Sequence, residues 1–418
     1  MRRLLAYGLV LGGGALFSFS TIGEFLATRA PGASVFTVGL GLLTALGYLS
    51  SQRLLRTQGV RHPWASNEIL LTAGYGLMAA CAPLASGFYS PQLNVGLDGA
   101  SRWTWWPAAL LVALICVALN VFVPSASRVA IAVVAFLALL AGIVLIGGVV
   151  AHGGFRGNHV RSLLPNGSSF SGVLAGVSVA VPFFFGSEAI ITRSAGMDER
   201  DRSFSRPALI TLGLLLIGLQ YAGVTGSDGS GSLPIDIPAL TGAYVSHGLT
   251  NSATVIVFLS SVGAAVLFAY LFASRLATMG VSPARQVGLL LAVTLLPVGL
   301  SMLASTSLEI SSQTGTYAAM TLFLNLSAIA GLLLACGLAW GCLRALRYAV
   351  SQKLDSMELV PPICGLVGLS VAMYGYVWHR TTTSTWSHPE WLLAISVLAV
   401  LASIASSRRL LRSQFVLD

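Results

Sequence analysis

The stretch Val181-Pro182-Phe183-Phe184-Phe185-Gly186-Ser187-Glu188-Ala189-Ile190 decides how this chain is read. It lies inside an apolar run from about 173 to 191, long enough to cross a bilayer. Yet it carries a proline, a glycine and a carboxylate in close succession. Pro182 removes a backbone donor and Gly186 relaxes the helix, while a carboxylate at membrane depth costs at least ~2.5 kcal/mol. A simple anchor gains nothing from any of them. Non-helical backbone at that depth is tolerated only where it is buried in protein or lines a wet cavity. The stretch therefore reads as a broken helix whose break forms part of a binding site.

Composition agrees with a membrane setting. The chain has 418 residues, of which 55% are hydrophobic and 9% charged, with a mean hydropathy of +0.83. Soluble proteins carry about 25% charged residues. Apolar runs of about twenty residues recur along the whole length, which points to helices rather than the short alternating strands of a barrel. Cys81, Cys116, Cys336, Cys342 and Cys364 all fall inside apolar runs, so small buried side chains are expected, with neither a disulfide framework nor a metal site.

Twelve spans are expected, at roughly 4–26, 33–52, 68–90, 107–124, 128–151, 171–192, 207–227, 252–279, 286–304, 317–346, 358–378 and 391–408. The first follows Met1-Arg2-Arg3 and, with Gly12-Gly13-Gly14 in its core, reads as a retained span rather than a signal peptide. With the N-terminus cytoplasmic, only Arg29, Arg102, Arg156, Arg161 and Arg380 of the 23 basic residues fall outside. That is a strong positive-inside bias. The net charge of +9 thus records topology, and no nucleic-acid partner is implied. The expectation is a multi-pass protein of the cytoplasmic membrane with both termini inside.

The first and sixth spans are interrupted alike, one by Gly12-Gly13-Gly14-Ala15 and the other by Pro182 and Gly186. A matched pair of Gly/Pro-interrupted spans points to an inverted-repeat transporter. Residues 1–151 would form one five-helix repeat, 171–346 the other, and 358–408 two appended helices. All belong to a single all-α membrane domain. The charged loop from Arg193 to Arg206 is either a solvated turn or part of an inner gate. The segment from Asp228 to Leu249 is either a lid over the outer mouth or a connector.

At three places the chain resembles the amino acid–polyamine–organocation superfamily of permeases. Gly13-Gly14-Ala15-Leu16-Phe17 resembles the family's unwound Gly-Ser-Gly-apolar-Phe segment, with Gly14-Ala15 standing where the family has Ser-Gly. Phe184-Phe185-Gly186-Ser187-Glu188-Ala189, followed by a charged loop and Arg206-Pro207, resembles its Phe-x-Gly-x-Glu signature. Ala273-Ser274-Arg275-Leu276 is similar to its Ser-Arg-Leu helix end. The resemblance covers nearly the whole chain. It implies the LeuT-like fold of five plus five helices with discontinuous helices 1 and 6. It also implies secondary transport of an amino acid or related amine-bearing metabolite.

In that setting Gly12, Gly13, Gly14, Ala15, Phe185, Gly186 and Ser187 would hold an α-amino acid through backbone groups. Unpaired N–H groups would face its carboxylate and free carbonyls its ammonium. Phe17, Phe183, Phe184 and Phe185 would supply apolar or cation–π walls. Glu188 is the proton-coupling candidate, because a low-dielectric site favours the neutral carboxyl and lets it exchange a proton during a cycle. The alternative is a protonated Glu188 bonded to a neighbouring span. Glu24 lies nearer the outer end of the first span. Ser260 and Ser261 are a hydroxyl pair of the kind that helps ligate Na⁺, or that bonds backbone carbonyls locally. No cofactor is expected and no enzymatic constellation is found. The alternatives are a Na⁺-coupled symporter of the same fold and a non-transporting sensor or assembly partner.

Overall fold

The computed structural model describes residues 7–9, 11–12, 34–57, 66–89, 105–154, 173, 176–177, 180–187, 205–226, 237–307, 312–382, 397–398 and 401–403. Among these the chain is helical, with no strand. The helices are α1 (Ser34–Thr57), α2 (Ser66–Tyr89), α3 (Trp105–Phe122), α4 (Pro124–His152), α5 (Ser205–Gly226), α6 (Ile237–Tyr244), α7 (Thr250–Thr278), α8 (Pro283–Ser307), α9 (Ser312–Ser351) and α10 (Ser356–Thr382). Short 3-10 turns occupy Val181–Phe184 and His247–Leu249.

Eight of the described helices, α2 to α5 and α7 to α10, are long and apolar enough to cross a membrane. They fall where the spans from the third to the eleventh, other than the sixth, were expected. α1 is as long as α2 but more polar, and lies at the second expected span. The first, sixth and twelfth expected spans are described only in part.

Local chemistry sets several boundaries. α3 passes into α4 through Val123, and Pro124 opens α4, where its missing N–H costs no helical bond. Gly153, in the left-handed region at φ 80°, ends α4 and donates its N–H to the Val150 carbonyl. The Ser246 side chain accepts the Gly248 N–H at the turn leading into α7. α9 has 40 residues. At 1.5 Å per residue that is about 60 Å, roughly twice the hydrocarbon thickness of a bilayer. It therefore outruns the expected span of 317–346 at both ends.

α2 forms the centre of the bundle, packed most extensively against α9 and α7 and also against α3 and α8. Its Leu71, Tyr75, Met78, Ala79, Ala82 and Ala85 are buried. Small residues let the backbones approach: Gly74 lies against Leu334, and Gly337 against Leu71. α3, α4, α8 and α10 form the periphery. There Val133, Leu137, Leu140 and Ile143 of α4, and Leu296, Leu300 and Leu303 of α8, are exposed. An apolar outer surface of this extent suits lipid rather than water.

The cysteines divide between the two layers. Cys81, Cys116 and Cys342 are buried and Cys336 is half-buried, all with free thiols. Cys364 is the correction to the expectation of burial, because it lies on the exposed face of α10. An apolar run gives no direction to its residues, and lipid accepts a thiol as readily as the core does.

The segment from Asp228 to Leu249 contains a helix rather than plain connector. α6 packs on α7 and α4, burying Ile237, Leu240 and Thr241. Tyr244 anchors its end by donating to the Gly226 carbonyl at 2.9 Å.

Candidate functional site

The sixth span is interrupted where Pro182 and Gly186 fall. Ala180 has helical dihedrals, Val181–Phe184 tightens into a 3-10 turn, and Phe185 is extended at φ −65°, ψ 143°. Gly186 sits at φ 97°, which an L side chain rarely adopts, and Ser187 is again helical. Pro182 lies at the start of the turn, where it needs no donor. Everything from Ala180 to Ser187 is buried. Broken backbone is thus held inside the protein, a setting in which a bilayer tolerates it.

The polar groups of the break are tied down from two directions. The Phe185 N–H donates to the Pro182 carbonyl at 3.0 Å. The Phe184 carbonyl accepts the Tyr48 hydroxyl at 2.7 Å and the Ser187 hydroxyl at 2.6 Å. Tyr48 belongs to α1 and is fully buried. α1 comes close enough because glycine replaces side chains along the seam. Gly41 lies against Ala180 and the Phe184 ring, and Gly176 of the sixth span lies against Thr37. The Phe183, Phe184 and Phe185 side chains are buried in the same continuous core as Leu9 and Leu11 of the first span.

Other expected site residues are placed as follows. Gly12 is helical and buried. Gly13, Gly14, Ala15, Phe17, Glu24 and Glu188 lie outside the described residues, as does the charged loop from 193 to 204. Tyr7 stacks on Phe136 of α4, with ring centroids 6.3 Å apart, and its hydroxyl hydrogen-bonds the Thr211 hydroxyl of α5. The first span is thereby fixed to both helices. Ser260 and Ser261 lie buried in α7. Ser261 donates to its own helix at the Phe258 carbonyl, 2.7 Å away, whereas the Ser260 hydroxyl has no hydrogen-bond partner among the described residues. No group of three or more metal-binding side chains occurs among the described residues.

Sequence reasoning missed a buried ion pair. Glu68, in the first turn of α2, accepts from Arg275 Nη1 at 2.9 Å, and neither side chain is exposed. The Arg275 guanidinium also lies 5.0 Å from the centre of the Tyr75 ring, which stacks on Phe268. Beside it Asn67 donates to Glu68 Oε1 at 3.4 Å and accepts from Arg344 Nη1 of α9 at 2.8 Å. α2, α7 and α9 are joined here by charged and amide groups. The signal was present: Glu68 opens one apolar run and Arg275 closes another at the end of the bundle assigned the same side by charge. Arg275 is also the arginine of the Ser-Arg-Leu resemblance, so that motif marks a packing anchor between helices.

No protein-family model matches the sequence, and no curated protein matches it either. Solved structures do match. Three are of the Eremococcus coleocola manganese transporter: one point mutant at TM-score 0.58 and 12% identity, a second point mutant at 0.54 and 12%, and a complex with an aromatic bis-isothiourea substituted compound at 0.52 and 14%. In each case 98% of this chain and 94% of the other are covered. The fold is that of a membrane transporter. The likeness extends nearly end to end, so it takes in the break and α10 alike. At such low identity it speaks to architecture and leaves the cargo to the site.

Proposed function

We propose that this protein is a secondary active transporter that carries an amino acid or related amine-bearing metabolite by alternating access. The observation that carries this reading is the buried break at Val181–Gly186. Such a break gives up helical hydrogen bonds in a lipid setting. Transporters place breaks of this kind at substrate sites near the midplane. The resemblance of Phe184–Ala189 to the permease signature supplies the substrate class, and with it the five-plus-five repeat and a second discontinuity at Gly13–Ala15, beyond the helical Gly12. Buried phenylalanines beside the break suit an organic zwitterion more than a bare ion, which calls for several oxygen, nitrogen or sulfur ligands. The distribution of basic residues supports a cytoplasmic-membrane location with both termini inside.

Within this reading Glu188 couples transport to a proton or sets affinity in an exchanger. The alternatives are Na⁺ coupling through Ser260 and Ser261, and a sensor that binds without transporting. Purified protein should be screened by thermal shift against amino acids, polyamines and Mn²⁺ at two pH values, with and without Na⁺. The hits should then be tested for uptake and counterflow in proteoliposomes. At a ligand concentration of 100 Kd, stabilisation is about 2.7 kcal/mol. Uptake of an amino acid or amine with a pH dependence abolished in Glu188→Gln is the expected result. Uptake of Mn²⁺ alone overturns the substrate class, and binding without flux makes the protein a sensor. Normal transport by Glu188→Gln with unchanged pH dependence removes its coupling role.

A further inference from the structure

The break was expected to offer free carbonyls to an ammonium group, yet the one at its centre is already used from within the protein. The Phe184 carbonyl has two lone pairs, and Tyr48 and Ser187 each place a hydroxyl on it, at 2.7 and 2.6 Å. The preceding acceptor, the Pro182 carbonyl, takes the Phe185 N–H. Ser187 is a local partner, three residues along the same chain. Tyr48 is not. It arrives from α1, 136 residues away in sequence, and is fully buried with its ring in the core. Gly41 allows the approach, since α1 there lies directly on Ala180 and the Phe184 ring. A buried carbonyl at membrane depth needs a donor, but Ser187 alone would have met that need. The second donor adds geometric definition: two hydroxyls from different directions fix the plane of the Phe184–Phe185 peptide beside the left-handed Gly186.

We propose that Tyr48 is a positioning residue for the substrate site. Its hydroxyl holds the broken segment in one conformation and withdraws from the ligand an acceptor that an ammonium group would otherwise use. This rests on the reading of the break as the substrate site. The ammonium of a zwitterion must then find its acceptors elsewhere.

Tyr48→Phe keeps the ring and removes only the donor, so its consequences can be read in two ways. The first needs no ligand. Hydrogen–deuterium exchange of the full-length protein in nanodiscs should show peptides covering 181–187 exchanging about tenfold faster than in the wild type, as expected for one lost buried hydrogen bond. Peptides from α3 and α4 should change by less than about twofold. The second measures binding of propylammonium and of propionate, each carrying one end of an amino acid. The ratio of the two Kd values should move by about fivefold toward propylammonium, because an acceptor has been released. A purely structural role would weaken both probes in proportion and leave the ratio unchanged.

Unchanged exchange at 181–187, or Kd values that move together, overturns the proposal. Faster local exchange with neither probe bound by either protein supports positioning of the break by Tyr48 and overturns the amino-acid reading instead. If Tyr48→Phe does not yield folded protein, Ser187→Ala removes the other donor to the same carbonyl. With Tyr48 in place, its exchange at 181–187 should rise by less than about threefold. A rise as large as that expected of Tyr48→Phe would overturn the proposal.

Discussion

Glu68 and Arg275 meet at 2.9 Å with both side chains fully buried, joining the first turn of α2 to the last turn of α7. Desolvating two charges is costly, and the pair is tolerated because its partners are supplied: Asn67 beside Glu68, and the Tyr75 ring beneath Arg275. The two helices already pack closely, so the bridge fixes their relative register more than it holds them together. Removing one charge is the damaging change, since it leaves the other buried alone. Glu68→Gln or Arg275→Met should each cost about 3–5 kcal/mol in unfolding from mixed micelles. The double variant Glu68→Gln/Arg275→Met should recover much of that loss. A double variant as unstable as the sum of the singles would mean that the two residues do not interact.

α1 and α10 cross on glycine. A Cβ at Gly47 would come within 2.5 Å of the Gly365 amide nitrogen and 2.7 Å of the Pro361 carbonyl. Both neighbours are backbone, so neither can swing aside as a side chain would. Gly47→Ala should therefore push the helices apart and cost about 1–3 kcal/mol, the usual penalty for overpacking. Because α1 also carries Tyr48, the same substitution should speed exchange in the 181–187 peptide, and hydrogen exchange on Gly47→Ala checks it. Gly39, with no neighbour within 4 Å, is the control, and Gly39→Ala should leave that peptide unchanged.

What the sequence made legible follows from what a bilayer enforces locally. Hydropathy summed over some twenty residues located α2 to α5 and α7 to α10, because each of those helices satisfies its own backbone. Pro182 and Gly186 located the break for the same reason, since both act on their own residue's dihedrals. Partners distant in sequence were not legible. Tyr48 reads as one more aromatic in an apolar run, and Glu68 as the polar start of another. Nothing within either run names Phe184 or Arg275, which are reached only once the helices are packed. The same limit applies to Cys364, because composition places a residue in the membrane without saying whether it faces protein or lipid.

Asn120 ties the α3–α4 corner to α7. Its amide nitrogen donates to the Cys116 carbonyl at 2.8 Å and the Val266 carbonyl at 3.1 Å, while its oxygen accepts the Ser127 hydroxyl at 2.9 Å. Interhelical side-chain bonds in membrane proteins average about 0.6 kcal/mol each. Asn120→Ala loses several at once and leaves Ser127 without an acceptor in a buried corner, so about 1–2 kcal/mol is expected. Ser127→Ala should cost about 0.6 kcal/mol. A double-mutant cycle in micelle unfolding checks the coupling, and strict additivity would show that the two act separately.

Gly186 tests whether the break is a property of the folded state. At φ 97° an alanine is strained by about 1–2 kcal/mol, so Gly186→Ala should lower the unfolding temperature and reduce uptake of whatever substrate the screen identifies. Gly147 offers the matching control, because it lies within α4 with no atom within 4 Å of an added Cβ. There alanine removes helix-interior glycine and should stabilise by about 0.5–1 kcal/mol. The two substitutions add the same methyl group to the same residue type, one buried in the left-handed region and the other helical and open, so opposite signs are expected. If both stabilise, the sixth span is an ordinary helix at Gly186, and the substrate site must be sought elsewhere.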